Sequence, residues 1–153
     1  PILIDIITSY IVPMMSHQSE LLRARAYEVF TSYIDLPLAE TTLEKAAASI
    51  YQCFQSGSLP IRTHAARALS DLLVKYDHLA AFIHPYLADI LASYLKLIDS
   101  IDADDVIYSF ESLISKLADR IQPYAVGIMR SLQDVFYKFC EKESVAQNGG
   151  YAD

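Results

Sequence analysis

The sequence has no Trp, only four Gly and only two Cys in 153 residues, and its 12 Lys and Arg are outnumbered by 19 Asp and Glu. Each shortage removes a class of function. Four glycines, two of them in the last five residues, leave no Gly-rich loop to cradle a phosphate, and no GxGxxG, GxxxxGK[ST] or GxSxG occurs. Cys53 and Cys140 belong to no CxxC or Cys/His cluster and sit on apolar helical faces, which predicts buried, reduced thiols. A net charge of −7 without a basic cluster excludes nucleic acid as a partner. The longest uncharged run, Ala46 to Ile61, is 16 residues and carries Ser, Gln and Gly, so no membrane insertion is expected. Asp5 interrupts the first apolar run, which lacks the architecture of a signal peptide. The start at Pro1 and the loop-like end, Gln147 to Asp153, read as those of a piece of a longer protein.

What is abundant is apolar surface, 53% of residues, enough for a core and too much for a disordered chain. It is arranged with helical period throughout. Leu43, Ala46, Ala47, Ile50, Tyr51 and Phe54 share one face, as do Ile83, Leu87, Ile90, Leu91, Tyr94, Leu95 and Ile98. No alternating stretch competes, so the predicted class is all-α. The breaks are Ser16 to Ser19, Pro37, and Ser56-Gly57-Ser58-Leu59-Pro60, a stop followed by a start. Thr41 and Glu44 have the spacing of a capping box. Asp102, Asp104 and Asp105 suit the positive end of a helix. Pro13 should kink or end the first helix. Seven helices result, at about 2–15, 19–35, 41–56, 60–77, 82–101, 103–121 and 123–142, followed by a polar loop or disordered tail, 143–153.

These helices repeat. Arg23, Ala26, Val29, Phe30 and Tyr33 align with Arg62, Ala65, Ala68, Leu69 and Leu72 at an offset of 39. Val106, Phe110, Leu113, Ile114 and Leu117 align with Ile61, Ala65, Ala68, Leu69 and Leu72 at an offset of 45, with Ile107 in place of the arginine. Two-helix units of roughly 40 to 47 residues are the HEAT class, whose hairpins bury an apolar face only by stacking. The predicted fold is a HEAT-type α-α superhelix, a solenoid of antiparallel hairpins with repeats at about 1–37, 38–78 and 79–121 and an unpaired helix, 123–142.

No catalytic, metal or cofactor site is expected, since His17, His64, His78 and His84 stand apart from other ligands and the carboxylates are explained by capping and solvation. The candidate partner-binding residues are Tyr27 and Tyr108, about one position off the buried stripe of a second helix, together with Asp104, Asp105, Glu111 and Asp119, which share the third second-helix with only Lys116 and Arg120. Second helices line the inner surface of such solenoids, and an acidic wall with tyrosines suits a basic polypeptide.

The run Asp102-Ala103-Asp104-Asp105-Val106-Ile107, followed by Ile121-Gln122-Pro123-Tyr124-Ala125-Val126, resembles a segment of the importin-β superfamily, closest to its importin seven and eight branch. Leu22 to Ala26 and Leu59 to Leu69 are similar to second helices of two preceding repeats, so the resemblance covers roughly residues 10 to 142. It implies a non-catalytic middle segment of a superhelix that carries protein cargo through nuclear pores, shuttles between cytoplasm and nucleus, and is loaded or unloaded by Ran-GTP. Ran-GTP and nucleoporin contacts then belong to the full-length parent. The other function considered is a HEAT scaffold subunit of a non-transport assembly.

Overall fold

The structure, a computed structural model, describes residues 2–101 and 104–148, the side chains of residues 139 and 142–148 excepted. Helices α1 (Ile2–Ile6) and α2 (Val12–Met14) are joined by a π-helical turn, Ile7–Ile11. After them come α3 (Glu20–Ser32), α4 (Glu40–Ser56), α5 (Leu59–Lys75), α6 (Asp77–Phe82), α7 (Leu87–Ser100), α8 (Asp104–Lys116), α9 (Ala118–Ile121) and α10 (Ala125–Asn148). No strand occurs among the described residues.

The helices form two layers. In one, α3 stacks on α5 and α5 on α8; in the other, α2 meets α4, α4 meets α7 and α7 meets α10. The layers face each other most closely where α4 packs along α5. The fold is an all-α solenoid of HEAT type. Its core runs between the layers through Phe30, Ile50, Phe54, Leu69, Leu72, Tyr94 and Leu97, all without solvent exposure. Ala65, Ala66 and Ala68 are buried on α5, and their small side chains let it approach neighbours on both sides. Tyr94 links three helices, edge-on to Phe54 at 4.8 Å and stacked on Phe110 at 5.2 Å. Its hydroxyl donates to the Ala66 carbonyl.

The repeat is visible in its polar contacts as well as its packing. Ser58 donates to Glu20, Lys75 to Asp35, Ser70 to the Ser109 carbonyl and Lys138 to Asp99, at separations of 38, 40, 39 and 39 residues. The shared arginines have a local task. Arg62 Nε–H donates to the Phe54 carbonyl at 3.1 Å, and Arg23 Nη1 to the His17 carbonyl at 2.6 Å. Each ties a second helix to carbonyls at the end of the first helix before it, which otherwise lack partners. Gly57 sits at such a turn. A Cβ there would lie 2.4 Å from Ile61 Cγ2 and 2.6 Å from the Cys53 carbonyl oxygen, so only glycine fits.

Several expectations are corrected. The Thr41–Glu44 capping box does not form. The helix starts earlier, at Glu40, and the Thr42 and Leu43 amides bond to the Ala39 carbonyl. The helix expected from 82 begins at Leu87, because Pro85 lacks an N–H and sits in a 3-10 turn, His84–Tyr86, after short α6. Leu117 divides the helix expected over 103–121. Pro13 is preceded by the π-helical turn, and α2 ends one residue after it. Residues 143–148, expected as loop, continue α10, while 149–153 lie outside the described residues, as do Asp102 and Ala103 of the acidic helix start. Cys53 is half-buried and Cys140 exposed, so only the first approaches the burial expected.

The third copy also has a different register. Lys75, in the last turn of α5, pairs with Asp35 just past α3; Lys116, in the last turn of α8, pairs with Asp77 just past α5. Matching these bridges places α8 41 residues after α5, not 45. The difference is about one helical turn, which leaves the same residues on the same face.

Candidate functional site

The second helices present an outward face away from the other layer, and the chemistry expected of a binding surface was assigned to it. On α3 this face carries Arg25 and Glu28, on α5 His64 and Arg67, on α8 Asp105 and Tyr108. Arg25 bonds Glu28 at 2.6 Å, Glu28 also lies 3.3 Å from His64 Nδ1, and Arg67 reaches Asp105 at 3.2 Å. Two of these three pairs cross from one repeat to the next. Along this face, cations therefore stand among the carboxylates. Exposed pairs of this kind add little to stability, but they fix where each charge stands.

Of the predicted residues, Tyr108 is 63% exposed on α8 and free to meet a partner. Asp104 and Asp105 are exposed in the first turn of α8, where the helix dipole favours them. Asp105 is paired with Arg67. Glu111 is exposed on a different side of α8, facing α10. Asp119 is exposed on α9, past the end of α8.

Tyr27 is a correction. It is 1% exposed, packed in the core, and its hydroxyl donates to the Met15 carbonyl at 3.3 Å. Burial, with Cys53 close by, pushes its hydroxyl well above the ordinary tyrosine range, so it stays protonated. Tyr27 is turned toward the first-helix layer, against Met15 just past α2 and Cys53 on α4, and its counterparts at the repeat offsets are Ala66 and Ile107, not Tyr108.

The structure adds Arg25, His64 and Arg67 to the face. Their repeat position was legible, but their pairing was not, because each partner is set by a helix elsewhere in the sequence. Tyr94, buried and raised in pKa by that burial, is a packing residue. Among the described residues no group of three or more His, Cys, Asp or Glu is placed to hold a metal ion, and no helix is long and apolar enough to cross a membrane.

No protein-family model matches the chain, and no solved structure does. Two curated relatives match over 141 residues, 92% of the chain, each at 23% identity: a probable importin-7 homolog of Dictyostelium discoideum and an importin beta-like SAD2 homolog of Arabidopsis thaliana. The chain spans only 13% and 14% of the length of these relatives. Nearly the whole of this two-layered helical solenoid is thus similar to one segment of importin-β-type proteins, the superfamily its repeat signature resembles.

Proposed function

We propose that the chain is a segment of an importin-like nuclear transport receptor, non-catalytic, that binds protein cargo for Ran-dependent passage through nuclear pores. The observation that carries this is the match to two importins over 92% of the chain. The fold supports it, since stacked hairpins offer an extended surface. Within the segment the contact surface is the outward face of α3, α5 and α8, centred on exposed Tyr108 beside Asp104 and Asp105. Tyrosine supplies contact area at low entropic cost, and the Asp104 carboxylate favours a basic segment of cargo. Ran-GTP and nucleoporins are partners of the full-length parent, which shuttles between cytoplasm and nucleus.

The test uses the full-length parent, Ran-GTP and a basic cargo at two salt concentrations. Ran-GTP is expected to bind and to change cargo affinity, and cargo binding is expected to weaken at the higher salt. Tyr108→Ala with Asp104→Asn is expected to weaken cargo binding without altering Ran-GTP binding. A parent that neither binds Ran-GTP nor releases cargo to it is no transport receptor. Retention of a protein partner in that case marks a scaffold.

A further inference from the structure

A groove of about 820 Å³ runs between the end of α7, one side of α8 and the middle of α10. Its walls are mostly apolar: Ile107, Phe110 and Ile114 from α8, Leu132 and Phe136 from α10, with Glu111 among them. Phe136 is 62% exposed there. The register of the repeats says what this face is for. At the 41-residue offset Ile107, Phe110, Glu111 and Ile114 correspond to Ala66, Leu69, Ser70 and Leu73. On α5, which packs along α8, those four are buried, and Ser70 Oγ donates to the Ser109 carbonyl at 2.8 Å. On α3, which α5 packs along, the corresponding Tyr27 and Phe30 are likewise buried. Each second helix thus receives the next on this side. The other wall repeats too: α5 lies between α3 and α4, α8 between α5 and α7, and the groove between α8 and α10.

A second, independent pattern is electrostatic. Asp35 stands just past α3 and takes Lys75 from the last turn of α5; Asp77 stands just past α5 and takes Lys116 from the last turn of α8. Asp119 stands in the same place past α8, and among the described residues no cation forms an ion pair with it. The relatives carry several times more chain than the segment matched here.

We propose that this groove is the seat of a further second helix, the partner of α10, supplied by the chain that follows α10. The occupant is an amphipathic helix with a Lys or Arg in its last turn paired to Asp119 and a hydrogen-bond donor facing Glu111. Glu111 and Asp119 then serve the joint between repeats rather than cargo. This holds whatever the solenoid carries.

The test compares hydrogen exchange in the 153-residue chain with that in a chain extended by the next roughly 45 residues of its own sequence, one repeat. In the extended chain, amides of α8 and α10 are expected to exchange slower by on the order of tenfold, reflecting the cost of opening a covered joint. Phe136→Glu is expected to abolish that slowing while leaving exchange in the 153-residue chain unchanged, and Asp119→Lys to reduce it in part. The same added segment, given as a separate peptide, should bind the 153-residue chain saturably and fail to bind its Phe136→Glu variant, which keeps the test decisive should the extended chain not fold. Equal exchange in both chains, or no binding of the peptide, overturns the proposal. So does a dimer through this groove, broken by Phe136→Glu and persisting in the extended chain, because it makes a second copy the occupant.

Discussion

Helices α5 and α8 occupy the same station in successive repeats, yet their residues are chosen under different constraints. On α5 the side toward the next repeat is Ala66, Leu69, Ser70 and Leu73, none more than 2% exposed. On α8 the same side is Ile107, Phe110, Glu111 and Ile114, and Ile107 is 44% exposed. Position 66 is small and fully buried where α5 packs along α8, whereas position 107 carries a branched chain that stands partly in water. A HEAT residue is therefore defined by its neighbour in the next repeat as much as by its own helix. The aromatic residues teach the same lesson: Tyr94 is enclosed between Phe54 and Phe110, whereas Phe136 on α10 is largely exposed.

The largest test of this contrast is truncation of the two aromatics. Tyr94→Ala removes a ring that holds α4, α7 and α8 together and strands the cavity it filled, at a cost of about 3–5 kcal/mol. Phe136→Ala in the same chain is expected to change stability by about 0.5 kcal/mol or less, as for a surface site. Urea denaturation of both variants measures the gap. Similar losses at the two positions would mean that α10 is held as firmly as the middle of the solenoid.

Exchanging the small and large residues is a milder test. Ala66→Ile gives α5 the residue that α8 carries at the matching position. It overpacks the α5–α8 contact and should cost about 1–3 kcal/mol. Ile107→Ala should cost about 1 kcal/mol or less in the 153-residue chain, because its side chain is already partly in water. The thermal midpoints of the two variants decide the matter. If Ala66→Ile is tolerated, the close approach of α5 and α8 is not what selects alanine there.

Much of this architecture was legible. Helical period, the Gly57–Pro60 break and the alignment of Arg23 with Arg62 depend on local stereochemistry, and they yielded the hairpins. The register of the third repeat was not legible, because a four-residue shift preserves the buried stripe, and only the Asp35–Lys75 and Asp77–Lys116 bridges resolve it. Val29 and Tyr33 show another limit: both are exposed, although their counterparts Ala68 and Leu72 are buried under the longer α4. The exposure of the candidate residues was legible only in part. Tyr108 and Asp104 are exposed on α8, but Tyr27 is buried with Met15 and Cys53 from the other layer, and Asp105 meets an arginine from the previous repeat. Contacts of that kind have no signature within a single helix.

The smallest expected effect concerns the bridges themselves. Hydrogen bonds from Ser58 hold the Glu20 carboxyl below the ordinary carboxylate range, and Lys116 does the same for Asp77, while Asp35 raises the Lys75 ammonium. A carboxyl that is more acidic in the folded than in the unfolded chain stabilises the fold above the unfolded value, and that contribution disappears as pH falls through the lowered one. A lysine made more basic loses its contribution only as pH rises through the raised value. Burial of Asp71 works oppositely, raising its carboxyl, so acid relieves a cost there. Glu20 and Asp77 outnumber Asp71, so the denaturation midpoint is expected to fall between pH 7 and pH 3. Lys116→Met should flatten that fall, since Asp77 then loses its partner. A Lys116→Met profile as steep as the original would mean that the Asp77 bridge carries none of the pH dependence.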